Sequence, residues 1–323
     1  MILTKTYCAA ILLFAVSFSF TQAAERDTAA VNSGIDPFEF APVISPQMPA
    51  SLTFCGDTIS LKRYDMRERF DREIMTMSYM HSSTLQLIKK ANRLFPVIDP
   101  ILKQMGIPED MKYLAVIESN LNLRALSPAK AVGLWQLMPF TARQYGLEVG
   151  DSIDERYHPE LSTLAACRML KDLYSHFHNW SSVAAAYNIG PGRISTELKN
   201  QGVKTSFDLW LVEETSRYVF RILAAKELFS HPRKYGFVIK SNQLYKPIRC
   251  NNVVVNSPIE DLYQFARDNQ TSYYLLKDFN AWLRSKSIPN STGKLYYIKI
   301  PMKEDLNYEN ESVVPYSKEW VTQ

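Results

Sequence analysis

Cysteine is scarce in this sequence, with 4 residues among 323. One of them, Cys8, lies in an N-terminal apolar segment. The three that remain form neither a disulfide framework nor a pair with metal-ligand spacing, so we expect no metal site and no cofactor. Cys167 lies in an apolar segment and is expected in the core, while Cys55 and Cys250 are the pair that could be cross-linked after export.

Long apolar runs are absent after residue 20. Lys5, the apolar run 7–20 and the small residues that end at Ala23 together predict a cleaved secretory signal at 1–23. The run is too short to span a membrane, and Cys8 comes too early to carry a lipid anchor. We therefore expect an exported protein of the periplasm, with peripheral association with the outer membrane left open.

Runs of basic residues are also missing, although the formal net charge is +4. The small excess of Lys and Arg is compatible with contact to an anionic polymer or a membrane surface. Nucleic acid is not expected as a partner, because export separates the protein from it. We expect a monomer.

The composition, 46% apolar and 22% charged, is that of a globular protein. A proline-rich segment at 24–60 predicts an extended linker, and helical periodicity with short connections predicts an all-helical domain at 61–235. Short β-branched runs among helical segments predict a small α+β module at 236–302, followed by a tail at 303–323. The predicted fold class is mainly α.

One acidic residue stands out in the helical region. Pro108 is typical of a helix start, and Met111, Leu114 and Glu118 follow the spacing of a single helix face, so the acid shares its face with core residues. Burial disfavours the ionised carboxylate and raises its pKa, which suits a general acid that works near neutral pH. A structural acid at the edge of the apolar face is the alternative interpretation.

Several polar residues flank apolar segments in the same region and could together line a carbohydrate groove. They are Ser127, Gln136, Tyr187, Asn188 and Tyr218. Each also has a structural interpretation: Ser127 can form a turn, Gln136 can cap a helix, and the two tyrosines can be core aromatics.

Three segments resemble the motifs of the lytic transglycosylase family, whose fold is similar to goose lysozyme. They are ES at 118–119, Ser127 followed by GLWQLMP at 133–139, and AYNIGPG at 186–192. Residues at 154–166 and 214–219 resemble the membrane-bound lytic transglycosylase D group in particular. The order and spacing of these motifs agree over residues 65–230.

The resemblance implies cleavage of the β-1,4 bond between N-acetylmuramic acid and N-acetylglucosamine in the glycan strands of peptidoglycan. Glu118 would act first as acid and then as base, and the product would be a 1,6-anhydro sugar. Ordinary glycosidases use two carboxylates. Here only Asp154, Glu155, Glu213 and Glu214 are candidates for a second one, and their predicted positions in a loop or at a helix start do not favour that role.

The same resemblance assigns roles around the acid. Ser127 and Tyr218 would hold Glu118 or the sugar, and Tyr187 would lie near the bond that is cleaved. The residues implied in substrate binding are Ser127, Gly133, Leu134, Gln136, Met138, Tyr187, Asn188 and Tyr218. For Gly133 and Leu134 the backbone would form the groove wall.

Two alternatives remain open at this stage. The same acid could serve a lysozyme-type muramidase that hydrolyses the bond, or the groove could belong to a non-catalytic protein that binds the cell wall. The C-terminal module resembles a LysM domain in Asn280, Leu283, Gly293 and 295–301, but the usual Gly-Asp-Thr is replaced at 256–258. Glycan binding by the module and a purely structural role are therefore both open.

Overall fold

The computed structural model describes residues 44–308 and 313–322. The predicted signal peptide at 1–23 and the predicted linker as far as residue 43 lie outside the described residues. Residues 45–323 cluster as one unit, and their fold is described below.

A β-hairpin replaces the last part of the predicted linker. Strands β1 (Ser51–Phe54) and β2 (Asp57–Ser60) are antiparallel, and Leu52 pairs with Ile59. Leu52, Phe54 and Ile59 are buried in the main hydrophobic core. The prediction of a linker is therefore wrong for residues 51–60, because alternate side chains of the hairpin bury one face on the helices.

Eight helices follow and build the main body. They are α1 (Tyr64–Tyr79), α2 (His81–Gln104), α3 (Lys112–Ser119), α4 (Pro139–Gln144), α5 (Pro159–Phe177), α6 (Trp180–Ile189), α7 (Pro191–Gln201) and α8 (Glu213–Ser230). With only two-stranded sheets among the described residues, the mainly α fold class is confirmed. No helix in the described part of the chain is long and apolar enough to cross a membrane.

Helix α8 joins three parts of the helical body, since it contacts α1, α3 and α6. The small residues of α6, Val183 to Ala186, are fully buried and allow its neighbours to approach closely. Leu114, Ala115 and Val116 of α3 are equally buried. This packing places the C-terminal end of α3, which carries Glu118, against the middle of α8.

The C-terminal module pairs β3 (Cys250–Val255) with β4 (Tyr296–Pro301) in antiparallel register, and α9 (Leu262–Asp268) and α10 (Tyr273–Phe279) connect them. Its core cluster also contains residues of the helical body, namely Val132, Ile153 and Tyr157. The predicted start of the module at 236 is too early. Phe237, Ile239 and Leu244 bury their side chains in the main core, so the module begins near the first residue of β3.

The prediction of a tail at 303–323 is also wrong for the described residues 313–322. Val313 and Trp320 are buried in the main core, and the Trp320 indole donates a hydrogen bond to the Phe229 carbonyl at 2.7 Å. The ring of Trp320 packs on Phe95, Phe229 and Tyr316. Residues far apart in sequence thus close one aromatic cluster.

The three cysteines of the described chain are free, and Cys167 is fully buried as predicted. The disulfide between Cys55 and Cys250 that the sequence left open is not formed. Cys55 lies in the hairpin turn, where its N–H donates to Asp110 at 2.6 Å, whereas Cys250 begins β3 in the C-terminal module.

We expect Trp320→Ala to lower the free energy of unfolding by about 3–5 kcal/mol, because a fully buried ring and its hydrogen bond are lost from the core. Denaturant unfolding measures this loss. Val314→Ala, at an exposed position nearby, is the control and should change stability by less than about 0.5 kcal/mol. Equal effects of the two substitutions would contradict the role of Trp320.

Candidate active site

Glu118 lies in the last turn of α3, which follows a 3-10 turn at Glu109–Met111 and ends at Asn120 in a left-handed conformation (φ 51°). The buried Tyr218, from the middle of α8, donates its hydroxyl hydrogen to Glu118 Oε1 at 2.5 Å. The contact joins two residues that are 100 positions apart in the chain. The structure therefore brings this pair of predicted site residues together.

The pKa of Glu118 is raised above its ordinary value, and burial is the largest cause. The hydrogen bond from Tyr218 and the charge of Arg221 act in the opposite direction, while the charge of Glu214 raises the pKa further. The upward shift agrees with the prediction from the helix face. A carboxyl group of this kind retains its proton to higher pH than an exposed glutamate does.

Tyr187, near the end of α6, donates its hydroxyl hydrogen to the Trp135 carbonyl at 2.6 Å. Burial and the charge of Glu118 raise the pKa of the Tyr187 phenol well above its ordinary value. The Tyr218 phenol is affected by the same two causes. Both hydroxyls therefore stay protonated at neutral pH, and Tyr218 donates its hydrogen to the acid while Tyr187 donates to the loop that carries Trp135.

Asn188 and Gln136, the two amide residues predicted in the site, differ in their hydrogen bonds. Asn188 has a buried Oδ1 with no hydrogen-bond partner among the described residues, so this oxygen can accept a bond from a ligand. Gln136 instead uses its Nε2 to donate to the carbonyls of Gly133 at 2.9 Å and Ala125 at 3.4 Å. Its amide stabilises its own turn rather than capping the next helix.

The turn at 133–138 starts with a backbone conformation and a close backbone contact that only glycine allows. Gly133 has φ +77°, and a Cβ there would lie 2.2 Å from the Arg156 carbonyl oxygen. The side chain of Leu134 is 1% exposed, so this residue can offer only its backbone to a ligand. Met138 is 42% exposed at the start of α4 and offers its side chain.

Ser127 lies in a turn with Ala131. Its N–H donates to the Ala131 carbonyl at 2.9 Å, and its Oγ accepts from the Ala131 N–H at 3.0 Å. Within the described chain no hydrogen bond joins Ser127 to Glu118. The structure thus gives Ser127 the turn role that was its structural interpretation.

The sequence did not single out Arg156, which organises the loop around the site. Its buried guanidinium pairs with Asp154 at 2.7 Å and donates to the carbonyls of Lys130 at 2.9 Å and Leu137 at 3.1 Å. It thereby fixes both ends of the segment that contains Gly133. The only sequence signal was its place in the Asp-Glu-Arg motif at 154–156.

The two acidic residues of that motif, Asp154 and Glu155, already have hydrogen-bonding or charged partners. Asp154 is paired with Arg156, while Glu155 accepts from the Glu148 N–H at 2.7 Å and from Lys294 of the C-terminal module at 2.6 Å. Neither carboxylate is free to act as a second catalytic group.

A cavity of about 500 Å³ lies between α1, α2, α3 and α8. Its lining includes Glu214 and Arg221, whose charges both act on the pKa of Glu118, but its described lining contains neither Glu118 nor Tyr218. Ile117 and Asn120 of α3 line it as well. In the described chain, no group of three or more His, Cys, Asp and Glu residues is arranged to hold a metal ion.

Two protein families match this chain. Residues 97–209 match the Transglycosylase SLT domain, and residues 251–304 match the Soluble lytic transglycosylase C-terminal LysM-like domain. The first match contains Glu118, the 133–138 turn and the Tyr187-Asn188 pair. The second coincides with the C-terminal module.

Among curated proteins, the chain is 30% identical over 258 residues to the membrane-bound lytic murein transglycosylase D of Escherichia coli K12. The alignment covers 77% of this chain and 55% of that protein, so the chain spans about half of that relative's length. It is also 30% identical over 123 residues to the soluble lytic murein transglycosylase of Salmonella typhimurium, which covers 35% of this chain and 19% of that protein.

Among solved structures, the 70 kDa soluble lytic transglycosylase of Escherichia coli matches at 22% identity and a TM-score of 0.39, over 52% of this chain and 31% of that one. The lytic transglycosylase Slt of Pseudomonas aeruginosa matches at 22% identity and a TM-score of 0.37, over 51% and 32%.

We expect Glu118→Gln to raise the thermal unfolding temperature relative to the wild type, and the gain should grow with pH. The pKa of Glu118 is higher in the folded than in the unfolded protein. Protonated Glu118 therefore contributes its full stabilisation of the folded protein below about pH 4. This stabilisation is lost as the pH rises through the pKa of Glu118 in the folded protein. Glutamine cannot ionise and escapes this loss.

Thermal melts at about pH 4 and about pH 7 measure the effect. Glu68→Gln, at an exposed position of α1, is the control and should change the unfolding temperature little, as is usual for surface substitutions. A gain for Glu118→Gln that is the same at both pH values would contradict burial of an ionisable acid.

Proposed function

The chain carries a transglycosylase SLT domain followed by a LysM-like C-terminal domain, and from this we propose that it is a lytic transglycosylase of peptidoglycan. The observation that carries the proposal is the Glu118–Tyr218 pair, a half-buried carboxyl group of raised pKa that accepts a hydrogen bond from a buried tyrosine. A carboxyl group that holds its proton can give it to a leaving oxygen. We place the reaction in the periplasm, in line with the export that the sequence predicts.

The bond cleaved in this proposal joins N-acetylmuramic acid to N-acetylglucosamine. Glu118 gives its proton to the glycosidic oxygen as the bond from that oxygen to C1 of the muramic residue breaks. The Glu118 carboxylate then takes the proton of the C6 hydroxyl, and the C6 oxygen bonds to C1. The product is a 1,6-anhydro sugar, no water is consumed, and Glu118 regains its proton.

Tyr218 supports this double role. Its hydroxyl donates to Glu118, which favours the carboxylate that forms after the first proton transfer. Burial works in the other direction and favours the neutral acid before the transfer. The balance of the two effects suits a single residue that must act as acid and then as base.

The remaining predicted residues belong to the proposal as substrate contacts. The unpartnered Oδ1 of Asn188 can accept a hydrogen bond from an N-acetyl N–H or a hydroxyl group of the sugar. Met138 can contact the glycan through its exposed side chain, and the backbone at Gly133 and Leu134 can line the groove. Gln136 and Ser127 stabilise the loops that carry these groups.

A muramidase reaction is the second candidate function, and the exposure and charge of Glu214 favour it. Its charge raises the pKa of Glu118, and its side chain is exposed to solvent, where it could activate water. Glu213 is less suitable because it pairs with Arg72 at 3.0 Å. In the transglycosylase reaction, the N-acetyl group of the substrate would stabilise the positive charge at C1 in place of a second carboxylate.

Digestion of purified peptidoglycan by the full chain should release muropeptides with 1,6-anhydro ends and no reducing muramic acid. Glu118→Gln should lower turnover by at least about 10²–10⁴-fold, because the general acid is lost. Mass spectrometry of the products measures both outcomes. Glu214→Gln is the matched control and should still yield anhydro products. Reducing muramic ends from the wild type would instead assign the muramidase reaction.

Tyr218→Phe should move the alkaline limb of the kcat/KM profile to higher pH. The Tyr218 hydroxyl lowers the pKa of Glu118, so its removal lets the acid hold its proton to higher pH. Turnover should also fall, because the carboxylate that forms loses its hydrogen bond. A limb that stays in place or moves to lower pH would exclude Tyr218 as the group that sets the acidity of Glu118.

A further inference from the structure

Trp210 displays its indole to solvent, in contrast to most tryptophans of this chain. The sequence contains 5 tryptophans, of which Trp135, Trp282 and Trp320 are buried, whereas Trp210 is 89% exposed. Exposure of so large an apolar ring forgoes the free energy that its burial would give. A single exposed ring is ordinary at a protein surface, so the residues around Trp210 decide whether it can bind a ligand.

Hydrogen bonds hold the backbone of Trp210 in place, although its ring is exposed to solvent. The amide of Gln201 accepts from the Trp210 N–H at 2.8 Å and donates to the Trp210 carbonyl at 3.0 Å. Leu209 is buried and Leu211 packs on the main core, so the side chains on either side anchor the segment. The ring is therefore presented outward without a large entropic penalty for ordering the segment on binding.

Trp210 lies shortly before the helix that contacts Glu118. It stands three residues before α8, the helix whose Glu214, Tyr218 and Arg221 act on the acid. Five residues of helix span about 7.5 Å, and three extended residues span at most about 10 Å, so Trp210 lies within roughly 18 Å of Tyr218 along the chain path. A glycan strand bound at the acid can cover this distance.

The charges near Trp210 favour a neutral glycan over an anionic lipid surface. Arg63, at the start of α1, pairs with Asp65 and also with Asp208, two residues before Trp210, both at 2.6 Å. Tyr64, which follows Arg63, is 76% exposed. Aromatic rings among paired charges of both signs lack the basic cluster that anionic membranes attract. They provide apolar faces for sugar rings and polar groups for hydroxyls.

We propose that the Trp210 indole stacks on a sugar ring of the peptidoglycan strand, at a subsite separate from Glu118. The proposal rests on the proposed function, because it takes the glycan strand as the ligand. Its consequence is a preference for long strands, since a strand that contacts both Glu118 and the indole binds more tightly than a fragment that contacts Glu118 alone.

Trp210→Ala should raise KM for long glycan strands by about three- to tenfold, the size expected for one lost ring contact. The kcat for long strands and the KM for short fragments should stay unchanged, and Trp210→Phe should restore part of the loss. Val238→Ala is the matched control. Val238 is 65% exposed between the buried Phe237 and Ile239, and it lies after α8 and not before it.

Tryptophan fluorescence gives a second, independent measurement. In the Glu118→Gln variant, long glycan strands should protect the emission from quenching by iodide, because Trp210 is the tryptophan most accessible to the quencher. The double variant Glu118→Gln, Trp210→Phe should lose this protection. Vesicles of phosphatidylglycerol should neither shift nor protect the emission.

Unchanged KM for long strands in Trp210→Ala overturns the proposal, and so does equal protection with and without Trp210. A blue shift with vesicles, without protection by glycan, would assign the ring to lipid and also overturn it. These outcomes leave the proposed function intact. Failure of the wild type to cleave peptidoglycan would refute the proposed function instead, and fluorescence protection would still report whether Trp210 binds glycan.

Discussion

The buried ion pair between Arg156 and Asp154 is the contact on which the candidate active site depends. A buried guanidinium is tolerated only if its donors are satisfied, and Arg156 meets this condition with a carboxylate and the carbonyls of Lys130 and Leu137. Its own carbonyl lies against Gly133, which leaves no room for a side chain there. One residue thus fixes the ends and the middle of the loop that supplies the Trp135 carbonyl to Tyr187.

The C-terminal module supports the same loop from behind. The Asp154 N–H donates to the Trp282 carbonyl at 2.9 Å, and the Arg284 N–H donates to the Ser152 carbonyl at 2.8 Å. Lys294 of the module pairs with Glu155. A module that shares backbone hydrogen bonds and a hydrophobic cluster with the helical body is a structural part of the site, whether or not it also binds glycan.

Much of the site could be predicted from the sequence because its signals are local. A helix face with one acid, and a glycine before a buried turn, are readable within ten residues or so. The hydrogen bond from Tyr218 to Glu118 and the place of Trp320 beside Phe95 are not, because these contacts join distant parts of the chain. The hairpin at 51–60 escaped prediction for a related reason, since four-residue strands acquire their order from the core that covers them.

The aromatic cluster around Trp320 also sets an order of assembly. Helices α3 and α8 meet in a core whose last large ring comes from the far end of the described chain. A chain that emerges from a ribosome with its N-terminus first therefore holds Glu118 and Tyr218 in an unfinished core until Trp320 has emerged. The fold thereby delays the mature site until the segment that carries Trp320 has joined the core.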